Sequence, residues 1–392
     1  MKIALVIDHL DPRRGGAEQW TFQHAEGLLA RGHEVHVVTQ GVNGPAAQLD
    51  IVPHLLGPIR SVLRRAAAAD AVLQRLKVDM VHDIGLGWHS HVLQSEDGSR
   101  LAQWEQKLLL LPSWQRPWKR AMLRVLPRYR DFRHLMARQF GDPERIVIAV
   151  SRMCARDYQH YHDVPAERIR LVYHGTDNQR FSPAHRNLWR EEVRDRLGVC
   201  EDEVMLLFVG HDYQRKGLVT AVRAVNRLAA EGAPVRLVVV GGKTRRSLPA
   251  IDSPPGAVIN VGAIDDPVPY YAAADVFVLP TYYDPCSLSV SEAAASGLPS
   301  VTTRFNGAAE LLTEGVDGSV ISDPADDAEL AGALRPLLDQ SVRQRMGAAA
   351  RKLALKHTLD RNCDQIVSIY QHIVARNDPS YQPFAGQIRR AA

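Results

Sequence analysis

Two adjacent cations, Arg215 and Lys216, follow an apolar run at 204–209 and open a predicted helix over 216–231. A positive charge at the start of a helix is disfavoured by about 0.3–1 kcal/mol unless an anion is supplied. A bound diphosphate would remove that conflict, and the two side chains would stabilise its negative charge. The alternative is an ordinary helix start with solvated cations. The pattern therefore indicates either a phosphate-binding loop or a surface turn.

Two further loops follow predicted strands. Asp284 and Glu292 flank a loop that enters a predicted helix over 287–296, and Gly15 and Gly16 precede the first predicted helix. The free N–H groups at a helix start favour an anion. Each feature alone also has a plain explanation, because a glycine pair is often a turn and such acids are often surface residues. No G-x-G-x-x-G follows the first strand, which disfavours a nicotinamide dinucleotide site.

The elements that must position these loops form two repeated patterns. The first 40 residues predict a strand, a glycine loop, a helix and a second strand, and the pattern restarts after residues 181–186. Strands that alternate with helices are typical of a parallel, doubly wound sheet. We predict an α/β fold with two Rossmann-like domains, residues 1–183 and 184–360. Residues 361–392 are predicted to form a helix that packs back on the first domain, followed by a frayed tail.

Length and composition narrow the class of protein. At roughly 150 residues per domain, the 392 residues predict two domains. A hydrophobic content of 45% and a charged content of 23% exclude disordered, collagenous and disulfide-scaffold chains. The four cysteines form no C-x-x-C, which favours a reducing compartment over a zinc site or disulfide framework. No apolar run approaches the roughly 18 residues that span a bilayer, so we expect a soluble or peripherally attached protein.

The run from Asp284 to Glu292 resembles the E-x7-E motif of family 4 glycosyltransferases, and the likeness covers nearly the whole chain. The resemblance implies the GT-B fold, in which two Rossmann-like domains with parallel sheets face each other across a cleft. Residues 209–217 look closest to the branch of lipopolysaccharide core heptose glucosyltransferases, in which adjacent Arg and Lys precede a Gly. Many relatives carry an arginine after the first glycine of this run. His211 stands there, so we assign the cationic role to Arg215.

The resemblance also implies what each loop does. The first acid and the amides after it hold the donor sugar, the second acid binds the ribose, and the cations and glycine amides hold the diphosphate. Backbone near Gly262 and Ala263 would bind the base. The predicted catalytic residues are Arg215, Lys216, Asp284, His91 and Asp97. The predicted donor-binding residues are Gly15, Gly16, Arg215, Lys216, Gly262, Ala263, Asp284, Cys286, Ser287, Leu288 and Glu292.

Negative charge grows on the diphosphate as it leaves the sugar, and fixed cations and amides stabilise that charge most in the transition state. The nucleotide sugar is then a substrate, and neither a cofactor nor a metal is expected. The sequence contains no Asp-x-Asp triplet of the kind that holds a metal against a nucleotide diphosphate. Asp284, in place of the usual Glu, has a shorter reach and leaves the donor sugar open. UDP-glucose or a similar donor is expected.

The acceptor side is expected in the first domain. The stretch 82–100 concentrates histidines and acids after a strand, and we select His91 and Asp97 for contacts to the donor sugar or the acceptor hydroxyl. Solvated loop residues are the alternative for each. His174, after the last strand of this domain, is either a cleft residue or a hinge residue.

Positive charge is concentrated in one segment. Residues 100–138 carry ten Lys and Arg against two acids, a charge of +8, whereas the whole chain carries +4. Apolar residues recur at helical spacing from Trp118 to Met136, with a kink expected at Pro127. Such a basic amphipathic element suits an anionic membrane surface, and a core-packing helix is the alternative. A nucleic-acid partner is disfavoured because no binding motif accompanies the patch.

We therefore expect a retaining, metal-independent glycosyltransferase that moves a hexose from a nucleotide diphosphate sugar to an anionic glycolipid, such as a lipopolysaccharide core. Residues 1–183 would bind the acceptor and residues 184–360 the donor. The expected location is the cytoplasm, peripherally on the inner membrane. The alternatives are a nucleotide-sugar epimerase on the same fold, a mannosyltransferase acting on another lipid-linked or polysaccharide acceptor, and a non-catalytic binding protein.

Overall fold

The structure, a computed structural model, describes residues 1–242, 253–254 and 256–376. The predicted frayed tail at the end of the chain lies outside these residues. The described residues form two parallel sheets, each with helices packed on it, which confirms the predicted fold of two Rossmann-like domains. Most of the strands are continuous apolar runs, as expected when helices cover both faces of a sheet.

The first sheet has seven parallel strands in the order β3-β2-β1-β4-β5-β6-β7. Its central strand β1 pairs with β2 on one side and β4 on the other. The strands are β1 Lys2–Val6, β2 Glu34–Thr39, β3 Val52–Leu55, β4 Met80–Asp83, β5 Val92–Leu93, β6 Ile146–Ala149 and β7 Ile169–Leu171.

The second sheet has six parallel strands in the order β10-β9-β8-β11-β12-β13. Here β8 is paired with β9 and β11, so the loops after β8 and β11 emerge side by side at the carboxyl edge. The strands are β8 Val204–Val209, β9 Val235–Val240, β10 Val258–Gly262, β11 Val276–Leu279, β12 Ser300–Thr303 and β13 Gly318–Ile321.

The described helices cover both sheets. The segment Gly307–Leu311 is a 3₁₀ helix. Pro127 breaks the predicted basic helix in two, because it starts a new helix rather than kinking one. The α-helices are α1 Gly16–Ala30, α2 Val62–Leu73, α3 Arg100–Leu108, α4 Arg116–Val125, α5 Pro127–Gly141, α6 Arg152–His162, α7 Arg186–Leu197, α8 Leu218–Ala230, α9 Val268–Ala273, α10 Leu288–Ala295, α11 Asp327–Leu334, α12 Gln340–Ala354 and α13 Leu359–Arg376.

The chain crosses between the domains twice, at neighbouring places. The first crossing follows β7, and the second joins α12 to α13. The Thr176 N–H donates to the His357 carbonyl at 3.0 Å, which ties the two crossings together. Helix α13 then returns to the first domain, where Ile366 and Tyr370 are buried with apolar residues of β1 and β4. The last described helix is therefore part of the first domain's core.

Candidate functional site

A cavity of about 450 Å³ lies between the two domains. Its walls come from loops that follow β1 and β5 in the first domain and β8, β9 and β11 in the second. The carboxyl edges of both sheets thus face one cleft, where open α/β sheets bind ligands. The predicted site residues that line this cavity are Gly15, Gly16, Asp97, Arg215, Lys216, Asp284, Cys286, Ser287, Leu288 and Glu292.

The loop that carries the two cations is fixed by its neighbours. Gly217 ends it with a φ of 77°, and a Cβ there would lie 1.9 Å from the Pro280 carbonyl oxygen, so this position requires glycine. The same conformation delays the start of α8 to Leu218. The Arg215 carbonyl accepts hydrogen bonds from the Tyr282 N–H at 2.8 Å and the Thr281 hydroxyl at 3.0 Å. These contacts hold the loop against the end of β11.

The side chains of the two cations have different partners. Arg215 donates from Nη1 to the Tyr283 carbonyl at 2.8 Å. Lys216 forms a short ion pair with Asp284, and both side chains are largely buried. Burial lowers the pKa of Lys216, and the Asp284 carboxylate opposes part of that effect. Lys216 therefore joins the loop that carries the two cations to the loop after β11, whereas the Arg215 side chain lines the cavity.

The loop after β11 presents a helix start to the cleft. The Ser287 N–H already donates to the Asn306 side chain at 3.2 Å. It is therefore not free to bind the donor sugar, contrary to the expectation for the amides of this loop. Leu288 is the first residue of α10, where N–H groups have no partner inside the helix. Burial raises the pKa of the Cys286 thiol, which keeps it protonated. Cys286 therefore shapes the wall and supplies no nucleophile.

Glu292, on the next turn of α10, faces the same cavity. The Tyr271 hydroxyl donates to its Oε2 at 2.8 Å. Burial raises the pKa of this carboxyl, although the Tyr271 hydrogen bond works in the opposite direction. The second carboxylate oxygen can accept further hydrogen bonds, as the ribose hydroxyls of a donor would require.

The first domain closes the cleft with its glycine loop. Gly15 caps the start of α1, and a Cβ on Gly16 would lie 3.6 Å from a methyl group of Leu288. The N-termini of α1 and α10, one from each domain, therefore border the same cavity. Helix N-termini favour anions, so the cleft combines two such ends with the cations.

Four acids of the cleft were missed by sequence reasoning, namely Glu18, Glu96, Asp212 and Asp265. Glu18 lies in the first turn of α1, and Glu96 precedes Asp97 in the loop after β5. Glu96 accepts from Gln94 at 2.7 Å and pairs with His174 Nε2 at 3.1 Å, with both side chains of that ion pair buried. Glu96 stands next to Asp97, which was selected, and Glu18 lies two residues after Gly16. Glu96 was missed because β5 has only two residues and leaves almost no pattern in the sequence.

Two predictions do not match the cleft. His91 lies at the amino end of β5, because the loop after β4 runs back before the next parallel strand begins. Its Nδ1 accepts the Val81 N–H at 2.9 Å. Gly262 and Ala263 stand just outside the cavity wall, which is formed two residues later by Ile264 and Asp265. The structure thus places His91 away from the site and puts Ile264 and Asp265, rather than Gly262 and Ala263, in the cavity wall.

A second cavity, of about 240 Å³, extends from the cleft into the first domain. Glu18 and Asp97 line both cavities and mark where they meet. Its polar lining includes the ion pair between Asp8 and Arg65, at 3.0 Å, and Arg100. The remaining wall is largely apolar, and α5 contributes Phe132, Leu135, Met136 and Gln139 to one side of it.

The basic segment 100–138 divides into inward and outward parts. The apolar residues of α5 and Trp104 pack inward, as the core-packing alternative requires. Helix α4 instead leaves Trp118, Met122 and Val125 exposed along one stripe, with Trp118 and Val125 each 76% exposed. The expected single apolar face from Trp118 to Met136 is therefore wrong, because the break at Pro127 turns the two helices in different directions.

The described residues bring together no group of three or more His, Cys, Asp or Glu that could hold a metal ion. Within the same part of the chain, no helix is both long and apolar enough to cross a membrane.

The two matched families divide the chain as the domains do. Residues 14–180 match the family described as Glycosyltransferase Family 4, and residues 203–340 match the one described as Glycosyl transferases group 1. Together with the two facing parallel sheets, these matches define a glycosyltransferase of the GT-B class. The chain belongs to glycosyltransferase family 4, which confirms the resemblance and makes it a transferase rather than an epimerase or a non-catalytic protein.

Individual relatives are similar over different shares of the chain. The uncharacterized glycosyltransferase MJ1607 of Methanocaldococcus jannaschii is 27% identical over 95% of this chain and 98% of its own. A D-inositol 3-phosphate glycosyltransferase of Acidothermus cellulolyticus is 26% identical over 99% of this chain and 94% of its own. The lipopolysaccharide glucosyltransferase WaaG of Escherichia coli is 29% identical over 56% of this chain and 60% of its own.

Solved structures share the fold. The crystal structure of WaaG, described as a glycosyltransferase involved in lipopolysaccharide biosynthesis, has a TM-score of 0.77 and 23% identity over 94% of this chain and 99% of its own. The Anabaena protein Alr3699/HepE, solved with UDP-glucose, has a TM-score of 0.69 and 18% identity over 95% of this chain and all of its own.

Proposed function

We propose that the protein is a retaining, metal-independent hexosyltransferase. Its donor would be UDP-glucose or a similar nucleotide sugar, and its acceptor a glycolipid such as a lipopolysaccharide core. The observation that carries this proposal is the meeting of Arg215, Lys216 and Glu292 with the glycine loop of the other domain in one cavity. A nucleotide diphosphate sugar has the size and charge pattern that this cavity complements. Retention of configuration is inferred from the family.

The reaction breaks the bond between the sugar C1 and the diphosphate oxygen and forms a bond from C1 to an acceptor hydroxyl oxygen, whose proton passes to the leaving diphosphate. Arg215 and the N–H groups at the start of α1 stabilise the charge that develops on the leaving diphosphate. Lys216 lies between that diphosphate and Asp284, which keeps the cation in place. Asp97, where the two cavities meet, is positioned to accept a hydrogen bond from the attacking hydroxyl.

The second cavity is the proposed acceptor site. It contains two ion pairs, Asp8 with Arg65 and Asp97 with Arg100, whose carboxylates suit sugar hydroxyls and whose arginines suit a phosphate substituent on the acceptor. Helix α5 forms part of one wall of this cavity, and α4 directly precedes α5 in the chain. The acceptor would therefore bind close to the exposed stripe of α4. A lipid-borne acceptor could then stay in the membrane while its sugar enters the cavity.

Transfer itself can be tested directly. The full chain is incubated with radiolabelled UDP-glucose and lipopolysaccharide whose core ends at heptose, with GDP-mannose in a parallel arm. We expect labelled glycolipid to form only when the acceptor is present. The same product should form after treatment with EDTA. Transfer from GDP-mannose instead would favour the mannosyltransferase alternative. Formation of another UDP-hexose without any acceptor, or no turnover of either donor, would contradict the proposal.

A soluble phosphorylated acceptor is the second candidate. It is favoured by the relatives named D-inositol 3-phosphate glycosyltransferases and by the two arginines of the acceptor cavity. A third arm of the transfer assay offers inositol 3-phosphate as the acceptor. If the soluble acceptor is the correct one, label should appear in inositol 3-phosphate and not in the lipopolysaccharide.

We also propose that α4 binds an anionic membrane surface. Trp118, Met122 and Val125 would enter the interface, while exposed basic residues such as Arg124 and Arg128 contribute about 1 kcal/mol each near anionic lipid.

Sedimentation with liposomes tests this contact. Wild-type protein should pellet with anionic vesicles, and replacing Trp118 and Val125 by serine should reduce the bound fraction. Leu188→Ser is the matched control, because Leu188 is an exposed apolar residue of the second domain. Equal recovery with neutral and anionic vesicles would contradict the membrane proposal.

A further inference from the structure

An acid stands among the cations of the cleft. Asp212 lines the cavity two residues after Gly210, in the loop that carries Arg215. Burial alone would raise its pKa, but the Arg215 N–H and the charges of Lys107 and Arg215 lower it overall. Asp212 is therefore ionised, and on its own its charge would weaken the binding of a diphosphate. Its contacts show a different role.

Asp212 holds Arg215 at two points. Its Oδ1 accepts the Arg215 N–H at 3.2 Å, and its Oδ2 lies 3.3 Å from Arg215 Nε. The Tyr283 carbonyl accepts from Nη1 of the same guanidinium. These contacts occupy two of the five guanidinium N–H donors and fix its plane. The remaining donors are left for an anion in the cavity.

The two groups that hold Arg215 are each held by α3 of the opposite domain. Lys107, in the last turn of α3, places its Nζ 3.5 Å from Asp212 Oδ2. Ser99, which caps the start of α3, donates its N–H to the Tyr283 hydroxyl at 3.2 Å. Gly98 allows that approach, because a Cβ there would lie 2.6 Å from the same hydroxyl. Both ends of one helix thus touch the residues that orient Arg215.

We propose that Asp212 is a positioning residue for Arg215, and that Lys107 of the first domain holds Asp212 in this orientation. The diphosphate site is then completed across the cleft, by a helix that belongs to the acceptor domain. This inference rests on the proposed function, because it assumes that Arg215 binds the donor diphosphate.

The test compares Lys107→Met, Lys107→Arg and Asp212→Asn with the wild type. The measured quantities are UDP affinity by calorimetry and the kcat and KM of UDP-glucose turnover. Lys107 and Asp212 are 41% and 42% exposed, and exposed ion pairs contribute about 0.2–1 kcal/mol. Lys107→Met should therefore lower kcat/KM for the donor about two- to fivefold. Lys107→Arg should restore most of the loss, and Asp212→Asn should lower kcat/KM about tenfold.

The double variant separates positioning from a general loss of stability. If Lys107 acts through Asp212, adding Lys107→Met to Asp212→Asn should cause no further loss, whereas independent effects would multiply. Lys77→Met removes an exposed lysine elsewhere in the first domain and serves as the control.

Two outcomes would overturn this inference. In the first, Lys107→Met and Asp212→Asn both show wild-type kinetics while Arg215→Ala is impaired. In the second, the losses in kcat/KM of the two single variants multiply fully in the double variant. Wild-type kinetics in Arg215→Ala would instead contradict the proposed function itself. The two failures are therefore distinguishable.

Discussion

At the residue scale, the cleft separates two cations that are adjacent in sequence. Arg215 is held by the Tyr283 carbonyl at Nη1 and by the Asp212 carboxylate at Nε, which leaves its other guanidinium N–H donors for a ligand. Lys216 is paired with Asp284 and has its pKa lowered by burial. We therefore expect Arg215 to provide most of the stabilisation of the diphosphate. Lys216 would instead hold the loop after β11, which carries Asp284, at the diphosphate site.

Replacing Arg215 by alanine should lower kcat by about 10²–10³, the effect of removing one donor that stabilises a developing negative charge. The measurement is UDP release in the presence of acceptor. Arg345→Ala, on the exposed side of α12, removes a similar side chain away from the cleft and should leave the rate unchanged. A wild-type turnover number in Arg215→Ala would remove this residue from the mechanism.

The donor residues could be predicted from sequence because three motifs each follow a long, buried strand. Asp284 and Glu292 are eight positions apart on either side of a helix start, and the structure brings them into one cavity. His91 could not be judged in the same way. Its loop returns to the amino edge before β5, and that reversal depends on a two-residue strand paired with β4 and β6.

At the element scale, α7 is attached to the second sheet by a buried charge network. Asp275, at the start of β11, contacts Arg190 and Arg194 of α7 at 3.0 Å each, and its Oδ2 accepts the Met205 N–H at 2.9 Å. Burial would raise the pKa of Asp275, but Arg190, the Met205 N–H and Arg194 together lower it. The network fixes the helix that follows the domain crossing.

Asp275→Asn should destabilise the second domain by about 3–5 kcal/mol, because it leaves buried arginines without their counter-charge. Because the pKa of Asp275 is lowered, this stabilisation is present at pH values above 3.8, the ordinary pKa of an aspartate. It is lost as the pH falls below that value. Urea unfolding at several pH values measures both effects. The control is Asp202→Asn, at an exposed position just before β8, the strand that pairs with β11. A cost below about 1 kcal/mol, or one that does not shrink in acid, would contradict the account.

Elements with strong patterns were predictable, and short or exposed ones were not. The apolar run at 204–209 stands out in the sequence and forms β8, Val204–Val209, with the same bounds. β3 was missed because it is an exposed edge strand that contains Pro53. The outward direction of α4 was also missed. It depends on the break at Pro127 and on Arg133, which donates to the Leu123 carbonyl at 2.9 Å and so joins α4 to α5.

At the scale of the whole molecule, the second domain caps a helix of the first. The Glu310 carboxylate accepts the Arg152 N–H at 2.7 Å and the Met153 N–H at 2.6 Å, the first two N–H groups of α6. The Tyr173 hydroxyl, from the segment that crosses between the domains, donates to the same carboxylate at 3.0 Å. A carboxylate at a helix N-terminus is favourable, so this contact holds the domains together beside the cleft.

Glu310→Ala should weaken domain closure, since it removes all three accepted hydrogen bonds. We expect a larger radius of gyration by small-angle scattering and a donor KM raised about tenfold, as one or two lost charge-assisted bonds would give. Glu231→Ala, which removes an exposed ion pair with Arg335 inside the second domain, is the control. An unchanged radius together with an unchanged KM would show that Glu310 does not hold the domains closed.

The central claim is that the cleft binds a nucleotide diphosphate sugar with Arg215 at its phosphates and Glu292 at its ribose. Calorimetric titration of UDP into the wild type, Arg215→Ala and Glu292→Ala tests it most directly. The account predicts measurable binding by the wild type and affinity about 10- to 100-fold weaker in each variant, as expected for a lost charge-assisted hydrogen bond. UDP affinity in both variants equal to that of the wild type would contradict it.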